Sequence, residues 1–135
     1  MAFQVKEELQ VEVKNEPGAL ACLLRVVATG GIDVRAFVAY AMGPELGFVH
    51  FLPSDIRKAK AALKKAGLRR VQTNKVVAGP IPDRRGEAAR IAEHVALHGI
   101  NLDAAYVTGT GKGKGLLVLS TTEKKDVAKL AKVLS

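Results

Sequence analysis

The chain has little with which to stack, cross-link or span. Of its 135 residues only 4% are aromatic, and none is Trp. The core must therefore be aliphatic, and few rings remain for bases or sugars. A single cysteine, Cys22, excludes an internal disulfide, and nothing in cysteine usage points to an oxidising compartment. No apolar run approaches the ~20 residues of a membrane helix. Met1 to Lys6 lacks the charged-then-apolar pattern of a signal peptide. A cytoplasmic protein without membrane contact is expected. No clustered acids and no nucleophile–base–orienter set stand out, so neither an enzyme nor a cofactor is expected.

What is present is an ordinary globular composition, 48% apolar and 25% charged, in a length that suits one domain or two very small ones. The net charge is +8 and unevenly placed: residues 1–67 carry +2 and residues 68–135 carry +6. A basic balance attracts anions, whether nucleic acid, acidic protein, phosphate or carboxylate, without choosing among them.

A shift of 68 residues lays the chain on itself without a gap, pairing Gly18 with Gly86, Ala21 with Ala89, Val27 with Val95, Gly31 with Gly99, Ile32 with Ile100, Gly43 with Gly111 and Gly47 with Gly115. In the first copy Leu9, Val11 and Val13 alternate with Gln10, Glu12 and Lys14 as a half-buried strand, and Phe3 and Val5 extend it backwards. Asn15-Glu16-Pro17-Gly18 is a turn, and Ala19–Thr29 a helix ended by Gly30-Gly31. Ile32–Met42 and Leu46–Leu52 are strands joined at Gly43-Pro44. Ser54-Asp55 caps a helix from Ile56 to Ala66. Gly67 ends it, and Arg69–Thr73 is a short returning strand.

The order is βαββαβ, giving an α+β chain of two ferredoxin-like modules, 1–74 and 75–135, each an antiparallel sheet with its helices on one face. The second module has helices at Glu87–Leu97 and Glu123–Leu134, and Pro80 and Pro82 near the end of its first strand. It lacks its own last strand. Its open edge is expected to be covered by the N-terminal extension, the partner module or another subunit, because an unpaired edge invites aggregation. The first helix of copy one, with Arg25 its only charge, is expected to be covered on two sides.

The turn Asn15–Leu20 carries two readings. One is a plain turn with a helix start. The other is a small-ligand cradle: Gly18 admits close backbone approach, the helix N-terminus offers N–H groups to a carboxylate, and Asn15 both donates and accepts.

Asn15-x-Pro17-Gly18-x-Leu20 after a strand, followed by Gly31-Ile32-Asp33-Val34 opening the second strand, resembles the signature of ACT domains. Copy two has Asp83-Arg84-Arg85-Gly86 and Gly99-Ile100-Asn101-Leu102 at the same places. The resemblance covers nearly the whole chain and is to stand-alone proteins of two tandem ACT domains. It implies a non-catalytic regulatory module, homodimeric, binding an amino acid where two ACT domains meet. Carried over by motif position, the binding residues are Asn15, Glu16, Pro17, Gly18, Ala19 and Leu20, with Asp33 and Asn101 facing them from a neighbour. A weaker second site falls on Asp83, Arg84, Arg85 and Gly86. There Arg85 replaces the proline and Ala88 the leucine, which leaves the second cradle silent or tuned to a more anionic ligand.

Two other functions compete. An RNA-recognition motif has the same element order, and Gly47-Phe48-Val49-His50-Phe51 matches its third-strand core. Stacking needs exposed rings on the first and third strands. Glu12 and Leu46 occupy two of those positions, and Gly115-Leu116-Leu117-Val118-Leu119 has no ring. Nucleic-acid binding through the basic second half is therefore the weaker alternative. The other is a structural subunit of a separate enzyme, with no ligand of its own.

The remaining motifs are read as structure. Gly109–Gly115 is a flexible hairpin rather than a phosphate loop, because Gly113 follows Lys112 where a Walker loop needs Ser or Thr. His94 and His98, four apart on a helix face, lack a third ligand, so no metal is expected. Cys22 packs as a small hydrophobe, His50 has no visible partner, and Phe48 and Phe51 serve core or interface.

Overall fold

The structure is a computed structural model. It describes residues 3–109 and 111–135, and the expectations on Met1, Ala2 and Thr110 lie outside these. The elements run β1 (Gln4–Lys14), α1 (Ala19–Thr29), β2 (Val34–Ala41), β3 (Leu46–Pro53), α2 (Ile56–Lys65), β4 (Val71–Pro82), α3 (Glu87–Leu97), β5 (Leu102–Gly109), β6 (Lys114–Thr121) and α4 (Asp126–Val133). The chain is thus α+β, with antiparallel pairing of β1 with β3, β2 with β3, β4 with β6 and β5 with β6.

The chain divides into two compact units, residues 7–74 and residues 75–135 with the N-terminal segment through Lys6. In the first, β3 lies between β2 and β1, and the start of β4 follows β1. Leu9 and Val11 of β1 and Val49 and Phe51 of β3 point to one side. There they meet Leu23 and Val27 of α1 and Ala59 and Leu63 of α2, all buried. Period-two alternation in the strands and the i, i+4 stripes of the helices converge on this layer. Asp55 begins α2 as expected, its carboxylate accepting from Lys58 N at 3.1 Å.

The second unit repeats the plan, with β6 between β4 and β5. Its core joins Val77, Ile81, Leu117 and Leu119 to Ile91 and Val95 of α3 and Val127 and Leu130 of α4. Phe3 is buried in the same cluster. Its ring lies over Gly79, so closely that a Cβ added there would sit 2.6 Å from the Phe3 ring. β1 is the neighbour of β4 in the strand order. The N-terminal segment therefore fills the edge of the second unit, one of the three covers expected for it.

Two boundaries differ from expectation. The short strand Arg69–Thr73 and the strand after Lys75 are one continuous β4, because Thr73-Asn74-Lys75 holds no Gly or Pro to break it. Pro80 and Pro82 fall in its last three residues. α4 begins at Asp126, not Glu123. Position 123 matches the capping Asp55, but no side chain caps α4. The Thr121 hydroxyl instead donates to the Glu123 carbonyl at 2.7 Å, holding that residue in a turn.

Candidate functional site

The turn between β1 and α1 is fixed by its backbone. Asn15 N donates to the Glu45 carbonyl at 3.0 Å, Glu16 N to the Lys14 carbonyl at 3.0 Å, and Cys22 N to the Gly18 carbonyl at 2.9 Å. Gly18 has φ +89°, in the left-handed region that a β-branched residue avoids, and it is the N-cap of α1. No side chain caps this helix and its first turn has no acidic residue. The positive end of its dipole is left without a carboxylate of its own.

Two hollows flank the turn. The larger, about 510 Å³, is bounded by Lys14, Glu16, Pro17, Gly18 and Cys22 and floored by Val13, Leu23 and Leu68. The smaller, about 210 Å³, lies towards the β2–β3 hairpin and includes Asn15, Ala19, Leu20, Tyr40 and Phe48. Of the six candidates of the first turn, Glu16, Pro17, Gly18 and Ala19 line the larger hollow and Asn15, Glu16, Ala19 and Leu20 the smaller. Asn15 is partly committed: its side-chain amide donates to the Gly43 carbonyl at 3.1 Å and ties the turn to the hairpin. Cys22 is exposed at the rim rather than packed away, a correction to its reading as a small buried hydrophobe.

The turn between β4 and α3 is a backbone replica. Asp83 N bonds the Gly113 carbonyl at 2.9 Å, Arg90 N bonds the Gly86 carbonyl at 2.9 Å, and Gly86 has φ +86°. Exchange of proline for Arg85 leaves the trace unchanged. The electrostatics are not the same. Glu87 stands in the first turn of α3, where copy one has Ala19. Its carboxylate lies 3.0 Å from Arg90 Nη2 and 3.7 Å from Arg84 Nη2. The second cradle already holds a carboxylate at its helix start, and that carboxylate occupies two of the cations around it.

Asp33 is not beside the first turn. It opens the segment into β2, where its N–H donates to Ser54 Oγ at 3.0 Å and its carbonyl accepts from Ser54 N at 2.9 Å. β1 and β2 both pair antiparallel with β3 and so run the same way. The start of β2 is therefore at the other end of the unit from the Asn15 turn. Asn101 is set equivalently in the second unit, bonded through its side chain to Thr122 Oγ1 at 2.7 Å.

Sequence reasoning missed a polar network on the face of the first unit's sheet away from its helices. His50 has partners after all. Its Nδ1 lies 3.1 Å from Glu8 Oε2 and its Nε2 lies 2.8 Å from the Tyr40 hydroxyl. Asn74 Nδ2 donates to Glu8 Oε2 at 3.3 Å and to Gln10 Oε1 at 2.9 Å. Glu8 is 1% exposed and His50 7%. Hydroxyl, imidazole and carboxylate follow in the order of a nucleophile, base and orienter, which the sequence had not suggested. Here they close on themselves: the Tyr40 ring stacks on His50 at 5.5 Å and 24°, and Asn74 takes the carboxylate. The usable signal was Glu8 on the polar side of β1. Its pairing needed the β1–β3 register, which places Gln10 opposite His50.

The other motifs behave as structure. Phe51 is fully buried in the core, whereas Phe48 is half-buried opposite Glu12. His94 and His98 stand with rings 4.9 Å apart, one beside the Val133 carbonyl and the other beside its own helix. Among the described residues no group of three or more His, Cys, Asp or Glu could hold a metal. β5 ends at Gly109 and β6 begins at Lys114, so the glycine-rich stretch falls between two strands and not between a strand and a helix. No helix of the described residues is long and apolar enough to cross a membrane.

No family model and no curated protein matches the chain. Solved structures do. A Bacteroides thetaiotaomicron protein superposes with a TM-score of 0.83 at 22% identity, over 96% of this chain and 88% of that one. The regulatory subunit of aspartate kinase from Thermus thermophilus gives 0.70 at 13% identity, over 98% and 94% of the two chains. A structure of aspartokinase alpha and beta subunits gives 0.66 at 18%, also over 98% and 94%. The chain therefore has the fold of the ACT-domain proteins that its sequence resembles.

Proposed function

We propose that the protein is a non-catalytic regulatory module of two ACT units that binds a small amino acid at the Asn15–Leu20 turn. The observation that carries this reading is the contrast between two turns of one backbone. The first has a helix start with no acidic residue, beside a hollow of about 510 Å³ with Lys14 on its rim and an aliphatic floor. The second has filled the equivalent place with Glu87. A ligand carboxylate at the first turn would take the role that Glu87 plays at the second, with Glu16 on hand for an ammonium group.

The site is one-sided within the first unit, since Asp33 lies at the far end. A neighbouring module, most simply that of a second copy in a homodimer, would close it and supply Asp33 or Asn101. Ligand binding would then act by shifting an equilibrium between assembly states, which requires different affinities for the two states. The names of the structures with this fold, regulatory subunits of aspartate kinase among them, support regulation of a separate enzyme. A thermal-shift screen of all twenty amino acids tests the reading. At least one should raise the melting temperature, because a ligand that binds only the folded state stabilises it. No response to any of them would remove the amino-acid reading.

A further inference from the structure

We propose that the sheet face of the first unit away from its helices carries a second ligand site, for a purine nucleoside monophosphate, which shares Phe48 with the smaller hollow beside the Asn15 turn but none of the residues of the larger one except Glu12. Phe48 of β3 stands on this face, opposite Glu12 of β1 and Tyr40 of β2. Tyr40 lies beside it with ring centroids 6.0 Å apart. The Tyr40 ring is itself fixed, by its hydroxyl to His50 at 2.8 Å and by stacking on that imidazole. A half-buried ring held in place on a sheet is a stacking platform at little cost in side-chain entropy.

Beside the platform is a hollow of about 290 Å³ lined by Gln10, Glu12, Phe48, Arg69, Arg70, Val71 and Gln72. The aromatic and polar lining groups match the parts of a nucleotide. Phe48 offers a ring face for the base. The amides of Gln10 and Gln72 and the carboxylate of Glu12 offer donors and acceptors to the base edge. Arg69 and Arg70 are exposed cations for the phosphate. Arg70 Nη1 lies 3.0 Å from Glu12 Oε2, and a guanidinium has further N–H groups to offer a second anion.

The same geometry favours a single nucleotide over an RNA strand. A strand crossing this face would pass Glu12 and Leu46 where further rings would be needed for successive bases.

Titration calorimetry of the full chain with GMP, AMP, inorganic phosphate and a single-stranded oligonucleotide tests the proposal. At least one purine monophosphate should bind with Kd below about 1 mM, and more weakly as salt rises. Phe48→Leu should weaken it about tenfold. Arg69→Gln should weaken it severalfold, and since Arg69 is exposed this variant decides the matter if Phe48→Leu fails to fold. Gly18→Val should bind the nucleotide as the parent does. The proposal is overturned if neither monophosphate binds, if phosphate alone binds as tightly, if the oligonucleotide binds more tightly than either monophosphate, or if the Arg69 variant binds unchanged.

Discussion

At the scale of single residues, Glu8 departs furthest from its sequence context. It follows Glu7 on a strand that alternates polar and apolar residues, which predicts a solvated carboxylate. Instead it is 1% exposed and serves His50 and Asn74 together. Among the described residues no buried side-chain nitrogen or oxygen lacks a partner, so this network is satisfied. Removing one member leaves the others buried and unmatched, and that penalty exceeds the net worth of the bonds themselves. Glu8→Ala should cost roughly 2–4 kcal/mol. Tyr40→Phe, at the exposed end of the chain, should cost about 1 kcal/mol. Urea unfolding of the two variants checks the order, and equal midpoints would contradict it. None of this was legible from residue type, because a polar residue on a polar strand face is normally wet. Only the register makes it dry.

At the scale of elements, local signals were read well and junctions were not. The strand alternation, the Gly30-Gly31 stop and the Asp55 cap each act over a few residues, and each is found where the sequence places it. The continuity of β4 and the late start of α4 depend on what no residue forbids and on what a side chain fails to reach. The N-terminal segment shows how a local reading becomes a tertiary fact. Phe3 and Val5 extend the alternation of β1, yet Phe3 belongs to the core of the second unit. Its ring needs the bare Cα of Gly79. Phe3→Ala should therefore cost about 3 kcal/mol, and Gly79→Ala about 1–3 kcal/mol through a clash with the ring. Combined, the two changes should cost clearly less than the sum of the singles, because the small side chain removes the clash. Additive costs in denaturant unfolding would show that ring and glycine are independent.

At the scale of the whole molecule, the repeat is the feature most legible in the sequence. The glycine pairs found at the 68-residue shift recur as backbone pairs: Gly18 and Gly86 at φ +89° and +86°, with the same hydrogen bonds around them. That the copies are unequal was also visible, in Arg85 and in the concentration of basic residues. The sequence pointed to Pro and Arg as the difference, whereas Glu87, at the motif's second variable position, is the residue that meets Arg84 and Arg90 at the helix start. Asp33 and Asn101 were carried over from a resemblance to sites built between modules; within the first unit the Asn15 turn and Asp33 lie at opposite ends.

The most direct test of the account is calorimetric titration of the amino acid found by thermal shift into three proteins: the parent chain, Gly18→Val and Gly86→Val. Both substitutions strain a left-handed glycine in matching turns, with open space around the Cβ that each adds. Circular dichroism controls for the fold. The account predicts that Gly18→Val loses binding while Gly86→Val keeps the parent affinity. Binding that survives Gly18→Val and disappears in Gly86→Val would contradict it.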